Sequence, residues 1–277
     1  MCTTVPNLDN SLSEKEGRLR ELIASLESVL VAFSGGVDST LLLKICSQVL
    51  GNRVLAVTAT SETLPAEEQE EASRLAREMG VEHVSVRISE LQDESFVRNP
   101  PDRCYYCKRL RFGELLRMAR ERGLKWVVDG SNADDLGDYR PGLLACKELG
   151  VRSPFQEVGL TKTEIRALSR KYDLPTWDKP PYACLASRVP YGSLITAEKL
   201  AQIDQAESFL RKLGFRQVRV RHHGNLARIE VPSERVQELV SMASEVLPRL
   251  KAIGFTYVCV DLEGYRTGSM NELLERA

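Results

Sequence analysis

One stretch near the beginning of the chain decides the fold: Val29-Leu30-Val31-Ala32-Phe33-Ser34-Gly35-Gly36-Val37-Asp38-Ser39-Thr40. Its first part is an unbroken apolar run, which is typical of a parallel strand that is buried on both faces. Its second part is rich in glycine and hydroxyl side chains and opens a helix that Gly51 ends. A strand, a glycine loop and a helix in this order predict an anion site, because the helix start presents unpaired N–H groups.

The same alternation of strand and helix continues along the chain. The further predicted strands are 54–58, 81–88 and 126–129. The predicted helices are 14–28, 38–50, 66–79, 108–122 and 161–172. Strands that alternate with helices predict an α/β fold with a doubly wound, mostly parallel sheet.

Four prolines within residues 173–193 interrupt this alternation and indicate a domain boundary. We therefore expect a first domain over 1–180 and a smaller C-terminal α+β domain over 181–277. The helices predicted for the second domain are 197–213 and 234–250. Its predicted strands are 217–222, 226–231 and 256–262.

The composition excludes several classes of protein. The chain has 277 residues, of which 43% are hydrophobic, so it can bury a sizeable core. A formal net charge of −1 disfavours a nucleic acid as the partner, because dedicated binders carry a basic excess. No run of 18 apolar residues is present, and the N-terminus lacks the pattern of a signal peptide, so we expect a cytoplasmic protein without a membrane partner.

The loop after the first strand differs from the common nucleotide-binding loop. Its two glycines are adjacent and no lysine follows them, so serine and threonine hydroxyls replace the lysine. An aspartate beside a phosphate requires a cation between them, and we infer Mg²⁺ at Asp38. The alternative is a plain turn with a first-turn acid. The residues predicted to bind the nucleotide are Ser34, Gly35, Gly36, Asp38, Ser39 and Thr40.

This seven-residue string resembles the signature of the PP-loop ATP pyrophosphatase superfamily. The resemblance implies that the chain binds ATP with Mg²⁺ and splits it between the α and β phosphates. It also implies that Thr58 and Ser61 contact adenine, and that Gly130, Asn132 and Asp135 complete the ATP and metal site. The alternative for the last three residues is a helix start with an asparagine or aspartate cap.

Three cysteines lie in unusual surroundings. Cys104 and Cys107 form a C-x-x-C pair before a predicted helix, and Cys184 follows the proline-rich segment beside Arg188. A redox pair, a zinc site and a 4Fe–4S cluster held by three cysteines with one open iron are the competing interpretations. Cys184 is either a packing residue or a reactive thiolate favoured by the nearby guanidinium.

Several motifs together resemble the LarE family of ATP-dependent sulfur transferases, which act in nickel-pincer nucleotide biosynthesis. The motifs are Ser34-Gly35-Gly36-Val37-Asp38-Ser39-Thr40, Asp102-Arg103-Cys104-Tyr105-Tyr106-Cys107-Lys108 and Ala183-Cys184-Leu185-Ala186-Ser187-Arg188. The resemblance implies adenylylation of a pyridinium-3,5-dicarboxylate mononucleotide and its conversion to a thiocarboxylate. It further implies a homo-oligomer that takes sulfide or another sulfur donor. The catalytic residues are then Asp38, Cys184, Ser187 and Arg188.

The resemblance leaves two sources of sulfur open. One is a 4Fe–4S cluster held by Cys104, Cys107 and Cys184, which relays sulfide and is reusable. The other is Cys184 itself, which gives up its sulfur and becomes dehydroalanine. A carboxylate needs activation in either case, because its leaving group would otherwise be oxide, and a thiolate or sulfide is the natural attacking species.

Two arginines alternate on one predicted strand of the second domain. Arg219 and Arg221 on one strand face are suited to clamp a phosphate. The alternative is a solvated face on which Glu230 of the neighbouring strand is an ion-pair partner. The resemblance to the LarE family implies that both arginines hold the phosphate of the substrate.

Three other functions compete with sulfur transfer to this mononucleotide. A tRNA-thiolating enzyme of the superfamily also adenylylates and adds sulfur, but the near-neutral charge disfavours it. An amide-forming synthetase uses ammonia and has no need of Cys104 or Cys107. A non-enzymatic ATP-sensing module would bind ATP without forming AMP.

Overall fold

The computed structural model describes residues 8–137, 141–180, 183–266 and 269. Its larger sheet has four parallel strands in the order β3-β2-β1-β4. These are β1 (Val29–Ala32), β2 (Val54–Thr60), β3 (Glu82–Arg87) and β4 (Trp126–Val128). The order reverses at β1, and in open parallel sheets a ligand binds at this switch point, beyond the carboxyl ends of the strands.

Helices cover both faces of the sheet. They are α1 (Leu8–Leu26), α2 (Val37–Leu50), α3 (Ala66–Glu78), α5 (Arg103–Glu121), α6 (Pro141–Glu148), α7 (Pro154–Val158) and α8 (Lys162–Lys171). The short helix α4 (Glu94–Val97) lies between β3 and α5 in the chain. Val29 and Val31 of β1 belong to one core with α1, α2, α3 and α8, whereas Leu30 belongs to a second core with α5. Successive residues of a strand point to opposite faces, so the predicted doubly wound α/β fold is confirmed.

The helix boundaries differ from the predictions at two functional places. α5 begins at Arg103 and not at Lys108, so the C-x-x-C pair lies inside the first helical turn. α8 begins at Lys162, one residue after the start of the predicted helix 161–172, because Thr161 is its N-cap and forms a capping box with Glu164. The short helices α4, α6 and α7 were not predicted, because segments of four to eight residues show too little periodicity.

The smaller sheet has three strands in the order β5-β6-β7. The elements of this part are α9 (Ala197–Lys212), β5 (Arg219–His223), β6 (Leu226–Glu230), α10 (Val236–Ser241), α11 (Ala243–Ile253) and β7 (Tyr257–Val260). β5 and β6 are antiparallel, and β6 and β7 are parallel. The helices and strands share one apolar core, as expected for a small α+β unit.

The helix predicted over 234–250 is wrong in one respect, because Met242 interrupts it. The N–H group of Met242 donates to the carbonyl of Leu239 and ends α10, and α11 begins one residue later. Leu239 and Leu250 are both buried in the same core. The apolar pattern therefore continues across Met242, so the sequence does not reveal the break between α10 and α11.

Internal contacts divide the chain into two compact units. The first comprises 1–61, 66–88 and 104–181, and the second comprises 62–65, 89–103 and 182–277. The second unit thus recruits two segments from the N-terminal half of the sequence. Over the described ranges, no helix combines the length and apolar character needed to cross a membrane.

Candidate functional site

The loop after β1 presents backbone N–H groups at the start of α2. Gly35 has a φ of 70°, and a Cβ there would lie 3.2 Å from Ala72, so only glycine fits without strain. Gly36 is the N-cap of α2, and no side chain caps the helix at this position. The first N–H groups of an α-helix have no partner within the helix, and together with the helix dipole they favour an anion here.

The hydroxyl groups of the loop differ in their surroundings. Ser34 and Ser39 lie together, with their Oγ atoms 3.1 Å apart, and Ser39 Oγ donates to the carbonyl of Gly36 at 3.3 Å. Thr40 is fully buried, and its Oγ1 makes no hydrogen bond within the described chain. Ser34 is therefore exposed at the loop, whereas Ser39 and Thr40 are buried. A contact of these hydroxyls with the nucleotide stays a prediction.

Asp38 is contacted from two later parts of the chain. Asn132 Nδ2 donates to Asp38 Oδ1 at 3.3 Å, and the ammonium of Lys162 forms an ion pair with Oδ2. Gly130 packs against the loop so closely that a Cβ there would lie 3.0 Å from the backbone nitrogen of Ser39. The structure thus brings Asp38, Gly130 and Asn132 together at the carboxyl ends of β1 and β4.

Carboxylates after β4 order the backbone around Asn132. Asp135 is buried, and its Oδ2 accepts from the N–H of Asn132 at 2.9 Å. Asn132 Oδ1 accepts from the N–H of Asp134 at 3.1 Å, as a cap does at a helix start. Asp134 Oδ2 in turn accepts from the N–H of Lys162 at 2.8 Å. Asn132 therefore fits both sequence interpretations, whereas Asp135 orders the turn, and its contact with ATP or metal stays a prediction.

The hydroxyl groups of the two residues predicted to contact adenine, Thr58 and Ser61, already form hydrogen bonds within the protein. Thr58 lies inside β2 and not at its end, and its Oγ1 donates to the carbonyl of Phe33 at 2.8 Å. The same oxygen is 2.9 Å from Nε2 of His83, whose pKa is lowered by burial. Ser61 Oγ accepts from Arg111 at 2.8 Å. An adenine contact for either hydroxyl stays a prediction.

Two lysines at the loop were missed by the sequence analysis. Lys162 pairs with Asp38, and Lys179 Nζ lies 3.3 Å from the carbonyl oxygen of Gly35. Lys179 also pairs with Glu68 at 2.9 Å and with Glu71 at 2.6 Å. Together they place two ammonium groups at this loop, each paired with carboxylates, where the common nucleotide loop has a lysine of its own. The capping box that fixes the start of α8 is the one sequence signal that precedes Lys162.

Asp129, directly after β4, gathers a polar cluster that was not predicted. It accepts from the hydroxyls of Ser131 and Ser153, each at 2.7 Å, and from Lys108 Nζ at 3.3 Å. Burial alone would lower the pKa of Lys108, but the charges and hydrogen bonds of Asp129 and Cys146 together outweigh it, and the pKa is raised. Burial raises the pKa of the neighbouring Cys146 thiol to about 11. Lys108 is thus a fixed cation at the carboxyl end of β4.

The cysteines predicted to hold iron divide between the two units. Cys104 is exposed and Cys107 half-buried, and a spacing of three puts them on one face of α5. Cys184 is half-buried and belongs to the second unit. Thiolates are the ligands that iron–sulfur clusters take, so the donor set fits. Within the described residues, however, no group of three His, Cys, Asp or Glu side chains is placed to hold a metal, and the cluster stays a prediction.

The segment that carries Cys184 is anchored by a buried ion pair. The guanidinium of Arg188 donates to both carboxylate oxygens of Glu207, at 2.8 and 2.9 Å, and both side chains are fully buried. It also donates to the carbonyls of Ala183 and Cys184 and to the hydroxyl of Ser187. Arg188 therefore holds the backbone on both sides of Cys184, and its predicted effect on the thiol stays a prediction.

The two arginines of β5 are buried, which corrects the expectation of an open strand face. Arg221 donates to both carboxylate oxygens of Glu230, at 2.9 and 2.7 Å, so the alternative ion pair is present, but without the expected solvation. The guanidinium of Arg219 lies 5.3 Å from the ring centre of Tyr265. Binding of a substrate phosphate by these arginines stays a prediction.

The similarity of this chain to known proteins covers much more of the sequence than the phosphate loop. A family model described as NAD synthase matches residues 14–105. An uncharacterised protein of Synechocystis is 45% identical over 96% of this chain and 100% of its own length. The pyridinium-3,5-bisthiocarboxylic acid mononucleotide synthase of Lactiplantibacillus plantarum is 41% identical over 96% of this chain and 97% of its own length. An uncharacterised protein of Methanocaldococcus jannaschii is 30% identical, with coverage of 87% and 92%.

Proposed function

We propose, since the chain belongs to the LarE family of sulfur transferases, that it converts a pyridinium-3,5-dicarboxylate mononucleotide into a thiocarboxylate at the expense of ATP. The observation that carries this proposal is the 41% identity to such a synthase over nearly the whole of both chains. A match of this extent spans the positions of the phosphate loop, the C-x-x-C pair and the Cys184 segment of this chain.

The arrangement around the loop suits the first step, in which ATP activates the substrate. The N–H groups of α2 and the ammonium groups of Lys162 and Lys179 offer positive charge to the phosphates. Asp38, which accepts from Asn132 Nδ2, offers the carboxylate oxygen that Mg²⁺ prefers, and the ion would neutralise charge on the phosphates. A substrate carboxylate oxygen then attacks the α phosphorus, the bond to the β-phosphate oxygen breaks, and pyrophosphate leaves.

The second step replaces the AMP group by sulfur. A sulfur nucleophile attacks the acyl carbon, the bond from that carbon to the AMP oxygen breaks, and AMP leaves with the electron pair. When the nucleophile is the thiolate of Cys184, the product is a thioester. Removal of the Cα proton of Cys184 then breaks its Cβ–S bond, which yields the thiocarboxylate and a dehydroalanine at position 184. This route needs no oxidant or reductant.

The C-x-x-C pair favours a reusable route for the sulfur. A 4Fe–4S cluster held by Cys104, Cys107 and Cys184 would supply a labile sulfide, and the enzyme would then survive many turnovers. Cys184, on the segment that Arg188 anchors, takes part in both routes, as a ligand of the cluster or as the sulfur donor. Arg219 and Arg221 are the proposed partners of the substrate phosphate, and an external sulfide or sulfur donor and a homo-oligomer complete the proposal.

The two rival enzymatic functions receive less support. A tRNA-thiolating enzyme would need a basic surface, and the net charge of the chain is −1. An amide-forming synthetase would use ammonia, and substitution of Cys104 or Cys107 would leave its activity unchanged. Near-complete coverage of the mononucleotide synthase favours sulfur transfer over both.

The experiment combines product analysis with iron analysis under anaerobic conditions. Protein, ATP, Mg²⁺ and the dicarboxylate mononucleotide are incubated with and without sulfide, and AMP, pyrophosphate and the thiocarboxylate are measured. AMP and thiocarboxylate in equal amounts support the proposal. ATP that is bound but not split, or turnover that depends on ammonia or tRNA instead of sulfur, would overturn it.

The same preparation distinguishes the two sulfur routes. Iron and sulfide that are present in the wild type and lost in Cys104→Ala, together with repeated turnover on added sulfide, establish the cluster. Iron-free protein whose Cys184 peptide loses the mass of H₂S after one turnover establishes Cys184 as the donor. Cys259→Ala is the matched control, because this half-buried thiol lies in β7, and it should change neither result.

A further inference from the structure

A buried asparagine in the second unit joins two segments that are distant in sequence. Asn99 is fully buried, with a φ of 54°, a conformation that asparagine tolerates better than most residues. Its Nδ2 donates towards the carbonyl oxygens of Val189 at 3.1 Å, Pro190 at 2.8 Å and Ser193 at 3.2 Å. One carboxamide therefore organises the loop that follows the Cys184 segment.

Main-chain hydrogen bonds reinforce this connection. The N–H of Gly192 donates to the carbonyl of Asn99 at 3.0 Å, and the N–H of Ile195 donates to the carbonyl of Val97 at 2.9 Å. Directly after the cysteine, the N–H of Leu185 donates to the carbonyl of Thr63 at 2.9 Å. The loop is thus fixed at several points to parts of the second unit that come from the N-terminal half of the chain.

Arg103 extends the connection to the C-x-x-C pair. Its Nη1 donates to Oδ1 of Asn99, and its guanidinium lies 5.0 Å from the ring centre of Tyr191. The side chain is 5% exposed, so it is held on the loop side and not in solvent. Arg103 is bonded directly to Cys104 and is the first residue of α5. Arg103 therefore adds a second side chain to the contacts that hold this loop.

We propose that Asn99 and Arg103 form a latch that holds the segment of Cys184 in the backbone conformation that the sulfur-transfer step requires. The latch acts through the backbone and touches no reacting atom, so both are positioning residues. It rests on the proposed function, because it concerns the sulfur-transfer step. The latch contains no part of the phosphate loop, and the adenylylation step is therefore independent of it.

The test uses Asn99→Asp, which keeps the size of the side chain and the acceptor for Arg103. It replaces the donor with an oxygen that repels three carbonyls. We expect formation of the thiocarboxylate to fall about tenfold or more, as loss of a buried hydrogen-bond network implies. The exchange of pyrophosphate into ATP in the presence of the substrate should stay within about twofold of the wild type, since the loop is unchanged.

Hydrogen exchange supplies a readout that does not depend on activity. The amides of Gly192 and Ile195 should exchange faster in Asn99→Asp, while the amides of α2 keep their protection. Asn225→Asp is the matched control, because this exposed asparagine lies in the turn between β5 and β6, and it should alter neither the chemistry nor the exchange. Arg103→Lys is the second variant if Asn99→Asp does not fold, and it should show the same split between the two steps.

The outcomes separate this proposal from the proposed function. A wild type that forms no thiocarboxylate contradicts the function, and the exchange of the Gly192 and Ile195 amides then decides the latch alone. Thiocarboxylate formation at the wild-type rate in both variants overturns the latch. An equal loss of adenylylation and sulfur transfer, together with lower thermal stability, also overturns the latch. Such a result is expected when Asn99 and Arg103 are needed only for folding.

Discussion

The ammonium group of Lys162 pairs with the carboxylate of Asp38, although 124 positions separate the two residues in the chain. The pair connects the first residue of α8 to the first turn of α2. It brings a cation to the phosphate loop that the loop sequence itself lacks. This arrangement explains how an aspartate is accommodated at a site built for an anion.

The pair predicts a specific loss of ATP affinity. Lys162→Met removes a charge that would bind phosphate, and a charge-assisted hydrogen bond contributes about 1.5–3 kcal/mol. We expect the dissociation constant for Mg-ATP to rise about tenfold or more, as measured by calorimetry. Lys125→Met is the control, since Lys125 pairs with Glu27 before the amino end of β4. Equal affinities for the wild type and Lys162→Met would contradict the assignment.

The close packing of Gly130 against the phosphate loop predicts that a side chain at position 130 would clash with the loop. A Cβ at this position would lie 3.0 Å from Asp38 Cβ and 3.0 Å from the backbone nitrogen of Ser39. Gly130→Ala should therefore displace the loop and weaken ATP binding about tenfold, with the far-ultraviolet spectrum unchanged. Gly113→Ala is the matched control, because a Cβ there meets no atom within 4 Å. That control should keep ATP binding, and an unaltered affinity in Gly130→Ala would refute the close contact.

The buried pair of Arg188 and Glu207 predicts a large effect on stability. Arg188→Met leaves the Glu207 carboxylate buried without its bidentate partner, and breaking such a pair costs about 3–5 kcal/mol. Urea unfolding measures this cost. Arg74→Met removes an exposed pair with Glu78, for which we expect a much smaller cost. Similar costs for both substitutions would show that the Arg188 pair contributes no more than a surface pair.

His222 predicts a loss of stability in mild acid. Its Nε2 is 2.8 Å from Oε1 of Gln202, and burial lowers its pKa in the folded protein. The unfolded chain, with an ordinary histidine pKa of about 6.5, then binds the proton more readily, so stability is complete above that pH and declines below it. Urea midpoints at pH 7.5 and pH 5.5 measure the decline. His222→Gln should reduce this pH dependence, and an identical dependence in both proteins would exclude His222 as its source.

Much of the first unit could be predicted because its information is local. The apolar run from Val29, the two glycines and Asp38 follow one another in the chain, and they predict a buried strand, an anion loop and a helix. The capping box at Thr161 and Glu164 is equally local, and the structure contains it. Periodicity failed where elements were short, as in α6, or where one core continued past a break, as at Met242.

The sequence by itself determined the parallel sheet, the place of the phosphate loop and the membership of the family, because each depends on neighbouring residues or on motifs in a fixed order. Only the tertiary structure decided which side chains meet at that loop. Lys162 and Lys179 contact it although they lie more than 120 positions later in the sequence. Asn99 donates hydrogen bonds to a loop that lies 90 or more positions later in the sequence. Such contacts have no local signature, because they arise when packing of the cores brings distant segments together and burial then requires each polar group to find a partner.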